Sequence, residues 1–133
     1  MPTTWLWRCL PVLPIVLVLG CGENSQAPVP ITGKVTYRGQ PLQNGTIVFT
    51  PDPRKGHVGT MAMGEIQSDG SYSLRTGNVF GAPPGYYRIT VAEGGLPYNT
   101  QTSLPDKYRD PELSGLVYEI KAGLAQTVDL KLD

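Results

Sequence analysis

Apolar and polar positions alternate with a period of two over short stretches of this chain, and glycine, proline and Asp-Gly separate the stretches, a pattern that predicts seven strands. Ile31 to Arg38 sets Ile31, Gly33, Val35 and Tyr37 against Thr32, Lys34, Thr36 and Arg38, then meets the turn Arg38-Gly39-Gln40-Pro41. Thr46 to Thr50 is apolar and β-branched and stops at Pro51-Asp52-Pro53. Thr60 to Gln67 offers Met61, Met63 and Ile66 as core filler, which requires a bulge at Gly64 to correct the phase. Ser71 to Thr76 turns Tyr72 and Leu74 inward. Tyr86 to Glu93 places Tyr87, Ile89 and Val91 on one face and Tyr86, Arg88 and Thr90 on the solvent face. Leu116 to Lys121 offers Leu116, Tyr118 and Ile120, and Gln126 to Leu132 offers Val128, Leu130 and Leu132.

The connections refine this picture. Pro83 and Pro84 fix φ ahead of the strand that starts at Tyr86, and Asp69-Gly70 marks a hairpin. Helical periodicity is missing, although Pro111 to Ser114 has room for one turn. An all-β fold follows, a seven-stranded antiparallel sandwich of two sheets. If every strand reverses the one before it, Pro51 to Gly59, Gly77 to Gly85 and Ala122 to Ala125 share the end at which the chain enters. Gly39 to Gly45, Ser68 to Gly70 and Gly94 to Gly115 share the far end, with Tyr108 beside Gln40 and Asp69 rather than beside Ile31. The last of these connections far exceeds the usual ~4–6 residues, and such loops commonly carry function. Its Tyr98, Lys107, Tyr108 and Arg109 form the candidate partner-binding set, pinned to the sandwich by Leu104 and Leu113.

The N-terminus changes the picture more than composition does. After Arg8, Cys9 to Gly20 is an apolar run that ends in Val18-Leu19-Gly20-Cys21. As a helix these twelve residues cover only ~18 Å of a ~30 Å hydrocarbon core, and Pro11 and Pro14 interrupt them. The stretch resembles a bacterial lipoprotein signal peptide with its lipobox: Val18, Gly20 and Cys21 match, and Leu19 is bulkier than usual. The resemblance implies removal of residues 1–20, lipid on Cys21, and a polar, proline-bearing tether over residues 21–30. The folded domain then runs from residue 31 to 133. Cys9 leaves with the signal, so the mature chain keeps one cysteine, the lipid acceptor, and neither a disulfide nor thiol chemistry is expected.

Eleven basic and eleven acidic side chains give a formal net charge of zero, so no global field steers the chain to nucleic acid. Sixteen glycines and thirteen prolines fall between the alternating stretches without a repeat, as many short strands require.

Ile31-Thr-Gly-Lys-Val35, Gly39-Gln-Pro-Leu42, Gly45-Thr-Ile-Val-Phe-Thr-Pro51, Ser68-Asp-Gly-Ser-Tyr-Ser-Leu74 and Pro84-Gly-Tyr-Tyr-Arg-Ile-Thr-Val91 resemble the carboxypeptidase regulatory-like domain. Leu104-Pro-Asp-Lys-Tyr108 and Ser114-Gly-Leu116 further resemble small bacterial lipoproteins built on one such domain. The resemblance spans Ile31 to Asp133 and implies a Greek-key, transthyretin-like (prealbumin-type) sandwich that is a non-catalytic structural or accessory module outside the cytoplasm. Its motifs are turns and core, and they say little about a ligand.

Reactive chemistry finds few candidates. The catalytic C-terminal Tyr-Arg-Gly-Ser of hydroxyisourate hydrolases is replaced by Leu130-Lys-Leu-Asp133, and the iron site of intradiol dioxygenases needs two histidines where this chain has only His57. A lone imidazole makes a poor metal site. Asp106, Asp110 and Glu112 supply oxygens in one loop but lack the register of a calcium loop. An isopeptide of pilin type would join Lys34 to Asp129 with Glu119 assisting, yet alternation points Lys34 and Asp129 to solvent. Neither catalysis, nor a metal, nor a cofactor is expected. The reading is a lipid-anchored, non-enzymatic envelope protein with a structural or protein-binding role, its partners a membrane through Cys21 and an envelope protein. The alternative is a carbohydrate-binding module that stacks sugars on Tyr98, Tyr108 and Tyr86.

Overall fold

The computed structural model describes residues 27–94 and 104–133, which form an all-β fold of two facing sheets. In β1 (Ile31–Tyr37), Ile31, Gly33, Val35 and Tyr37 are buried while Thr32 and Lys34 are exposed, as the alternation requires. Arg38 and Gly39 take φ of 50° and 81°, the pair of positive values that a two-residue hairpin loop needs, and lead into β2 (Gln40–Pro41). β3 (Gly45–Pro51), β4 (Ala62–Ile66), β5 (Ser71–Ser73), β6 (Arg75–Thr76) and β7 (Val79–Phe80) follow. β8 (Gly85–Glu93), β9 (Val117–Ile120), β10 (Gln126–Thr127) and β11 (Leu130–Leu132) complete the fold.

One sheet is centred on β1, flanked by β5 and β2 on one side and by β10 and β11 on the other; the second runs β7-β6-β4-β3-β8-β9. Val35, Ile47, Phe49, Leu74, Ile89 and Val91 are fully buried between them. Each such side chain contributes roughly 1.5–3 kcal/mol by leaving water, so this layer is the main source of stability.

Eleven strands arise from seven directional runs. β5 and β6 are one run divided at Leu74, where the chain leaves the first sheet for the second. Leu74 donates its N–H to the Ile31 carbonyl and accepts from Gly81. β10 and β11 are likewise one run, interrupted at Val128-Asp129, and β2 and β7 are short additions at the turns. The expectation of a wholly antiparallel sandwich is corrected: β1 pairs parallel with β10 and β11, Ile31 opposite Gln126 and Val35 opposite Leu130. Each run does reverse the one before it, so the first and seventh point the same way, and their adjacency makes the pair parallel.

Two inward assignments are also corrected. β4 turns Ala62, Gly64 and Ile66 inward and leaves Met61 and Met63 about half exposed. Its register against β3 is continuous from Gly45↔Ile66 to Phe49↔Ala62, without a bulge. Gly64 fits because a Cβ there would press on the Ser73 carbonyl, a close approach that only glycine allows. Gly33 has the same reason: the Tyr72 ring lies over it and donates its hydroxyl to the Val128 carbonyl at 2.6 Å.

The registers fix the two ends. Val29 bridges Ala82, Ile31 faces Gln126, and Gly85 faces Ile120, which gathers residues 52–61, 77–84 and 121–125 at the end where the chain enters. At the other end Val35 donates to the Gly70 carbonyl, Arg38 donates to the Leu132 carbonyl, and Gly45 faces Glu93.

Candidate functional site

The connection from β8 to β9, described from Leu104 onward, is fastened to the domain at three points. Leu104 is buried, whereas Leu113, expected to pin the loop, is 65% exposed. Tyr108 sits in a 3₁₀ turn (Asp106–Arg109), and its hydroxyl donates to the Asp133 carbonyl at 3.2 Å while accepting the Asp133 N–H at 3.0 Å. Because Asp133 follows Leu132, which faces Tyr37, Tyr108 lies at the far end of the sandwich and away from Ile31. Being buried, it is a core residue rather than a contact surface, and its ring is removed from a sugar-stacking platform.

The third fastening is ionic. Arg88 stands on the outer face of β8, between Tyr87 and Ile89, which face the core, and was expected in solvent. It is 8% exposed instead: one guanidinium nitrogen meets the Asp52 carboxylate at 2.8 Å and another meets Glu112. Asp52 follows β3 because Pro51 and Pro53 end the strand there. Its backbone N–H donates to the Tyr86 carbonyl at 2.9 Å, and its carboxylate also caps the 3₁₀ turn Pro53–Lys55 by accepting the Arg54 N–H. Glu112 comes from the turn that begins at Asp110, whose carboxylate accepts the Glu112 N–H at 2.7 Å. Arg54 closes the group, 2.6 Å from Glu112. The hydrogen bond from Arg88 holds the Asp52 carboxyl below its ordinary value, with Arg54 adding to the effect. Asp52 and then Glu112 raise Arg88. These four side chains clamp the long connection onto the outer face of the second sheet.

The segment so held carries Lys107 and Arg109 in solvent. The Lys107 ammonium lies 4.8 Å from the centre of the Tyr108 ring, and Arg109 is 3.6 Å from Asp106. The carboxylates of Asp106, Asp110 and Glu112 are thus engaged separately. No cluster suited to a metal ion occurs among the described residues.

At the opposite end the His57 ring packs edge-on against Tyr87, centroids 4.7 Å apart, and fills the space a side chain at Gly85 would take. Tyr87 donates its hydroxyl to the Pro83 carbonyl at 2.7 Å, and burial pushes its pKa up to about 12. Asp129 accepts the backbone N–H of Lys34 at 2.9 Å. Tyr86 is partly exposed beneath the Lys55 ammonium. Cys21 and Tyr98 lie outside the described residues.

Sequence reasoning singled out Lys107, Tyr108, Arg109 and Glu112 but missed Arg88 and Asp52. A signal for both existed: an arginine at the centre of an alternating strand opposes a long connection rich in carboxylates, and an aspartate is fixed between two prolines. No protein-family model matches the chain, and no curated protein matches it.

Proposed function

We propose that this chain is a lipid-anchored, non-catalytic protein of the bacterial cell envelope, attached to a membrane through lipid on Cys21. The far end of its domain binds another envelope protein. The domain is of the carboxypeptidase regulatory-like kind, a Greek-key, transthyretin-like sandwich. One observation carries the reading: Asp52, Arg54, Arg88 and Glu112 are engaged with one another in holding the long connection, while Lys107 and Arg109 ride exposed on the segment they hold. A charged surface of Asp106, Lys107 and Arg109 fixed before any partner arrives loses little entropy on binding, which suits recognition better than turnover.

Two measurements test it. Mass spectrometry of the membrane-extracted protein should find acyl chains on Cys21, and Cys21→Ala should release the protein, since several acyl chains make anchoring effectively permanent. Equal retention of the variant would sink the anchor. Cross-linking of the intact lipoprotein in its membrane should then capture a protein that Lys107→Glu with Arg109→Glu fails to capture. A capture unchanged by the double variant would remove the far end as the binding surface.

A further inference from the structure

The end at which the described chain begins exposes four large apolar side chains, Val58 (77%), Val79 (54%), Phe80 (64%) and Leu124 (89%). Single exposed apolar residues are ordinary on a protein surface. These stand in three connections, 52–61, 77–84 and 121–125, which the registers bring to one end around the point where Val29 bridges Ala82. Basic groups flank them: the Arg75 guanidinium lies 4.5 Å from the centre of the Phe80 ring, and Lys55 and Lys121 are exposed nearby. Apolar tips ringed by lysine and arginine are the composition of surfaces that enter the headgroup layer of anionic bilayers. At the far end, by contrast, Asp69, Glu93 and Asp133 put carboxylates at or near the surface; toward the entering end Asp52 and Glu112 are engaged by Arg88 and Arg54, and Glu119 is the exposed carboxylate.

Tether length supplies the second argument. The first residue paired to the domain is Val29, eight residues beyond Cys21, and eight residues reach at most ~28 Å even when fully extended. With lipid on Cys21, the end bearing Val58, Phe80 and Leu124 is held within that distance of the bilayer.

We propose that this end rests in the headgroup layer of the anchoring membrane, with Val58, Phe80 and Leu124 as the inserted contacts and Lys55 and Lys121 against anionic lipid. The proposal rests on lipid attachment at Cys21, and it fixes the domain's orientation: the far end, with Lys107 and Arg109, is turned away from the membrane.

The test uses the full lipoprotein in vesicles of equal parts phosphatidylethanolamine and phosphatidylglycerol. Cys21 is acylated in the mature chain, so a new cysteine is its only free thiol. Leu124→Cys, Val58→Cys and, at the far end, Asp69→Cys are labelled separately with an environment-sensitive fluorophore. All three positions lie in surface turns, and circular dichroism checks that each variant keeps the wild-type fold. Lipids brominated near the headgroup should quench probes at 124 and 58 about threefold or more over the probe at 69. Adding Phe80→Asp should reduce that excess. Equal quenching at all three positions, with the protein still floating with the vesicles, overturns the docking and leaves the anchor standing. A blue shift at 124 without quenching overturns it in favour of a second copy or another protein. Loss of flotation by the wild-type chain overturns the anchor and the docking together.

Discussion

Arg88 and Asp52 meet at 2.8 Å on the outer face of the second sheet, each less than a tenth exposed, although they are 36 residues apart and neither belongs to the apolar core. The contact joins the start of β8 to the turn after β3. Glu112 then extends it to the connection that carries Lys107 and Arg109. Three segments therefore depend on one guanidinium.

Removing that guanidinium leaves the buried Asp52 carboxylate without its close cation, while Glu112 keeps Arg54, and such losses rank among the larger single-site effects. Arg88→Met should lower the melting temperature by roughly 5–10 °C for a domain of this size. Glu112→Gln should cost less, because Glu112 is 59% exposed and solvent screens its pairing. Differential scanning calorimetry of the three proteins checks the order. A Glu112 variant less stable than the Arg88 variant would contradict it.

The pH dependence has a defined sign. Asp52 has a folded pKa below its ordinary 3.8, chiefly through the hydrogen bond from Arg88, and Asp69 is lowered too, chiefly by the Ser71 hydroxyl. A depressed carboxylate stabilises the fold fully above its unfolded pKa and loses that contribution as pH falls through the folded value. Urea midpoints should therefore be level down to about pH 4 and fall below it. Asp52→Asn should start lower and fall less steeply. A parallel decline would assign the acid loss to other groups.

Core substitutions should separate by burial. Ile89 is fully enclosed, so Ile89→Ala should cost about 2–5 kcal/mol in urea titrations. Leu130 is only half-buried, and Leu130→Ala should cost about 1–2 kcal/mol. Equal costs would mean that β11 packs more deeply than its exposure indicates.

Gly33→Ala tests the contact between Tyr72 and the last strand run. A Cβ at position 33 would fall on the Val128 carbonyl and touch the Tyr72 ring, so β1 and the β10–β11 run must separate. The expected loss is about 3 kcal/mol or more. Gly39→Ala is the comparison: there φ is positive and unfavourable for alanine, unlike at Gly33, but no atom lies within 4 Å, and its cost should be about 1 kcal/mol.

Much of the fold was legible because period-two alternation depends on one local rule. Ile31, Val35, Tyr87, Ile89, Val128 and Leu132 all lie inside as read, and the three connections at the entering end were grouped correctly; of the long connection expected at the far end, Tyr108 lies there but Glu112 reaches back to Arg54. Alternation failed where a second layer covers the outer face. Arg88 has an outward position by pattern and is nonetheless buried, because Asp52 and Glu112, 36 and 24 residues away, close on its guanidinium, and long-range cover leaves no local trace. Met61 and Met63 misled for the opposite reason: their hydrophobicity argued for the core, while the alternate residues Ala62 and Gly64 face inward, Gly64 small enough to lie against the Ser73 carbonyl and Ile47. The parallel pairing of β1 with the last run was implicit in an odd number of reversing runs, but adjacency in the sheet is set by packing and not by sequence order. At the candidate site, the charges of Lys107 and Arg109 were legible; the burial of Tyr108 was not, since its partner Asp133 is 25 residues away in sequence.

The same parallel pairing has a kinetic side. Lys34 and Asp129 touch across 95 residues of sequence, and the strand that opens the domain has its neighbour on one side only in the strand that closes it. Contacts of such long span form slowly, because the loop between them must close before they contribute anything. A chain delivered N-terminus first therefore exposes one flank of β1 until residues 126–132 arrive. A truncation of a few C-terminal residues is then more than the loss of a frayed tail: it removes Leu130 to Leu132 and the backbone that Tyr108 grips, and so leaves the first strand with an open edge ready to pair with another molecule.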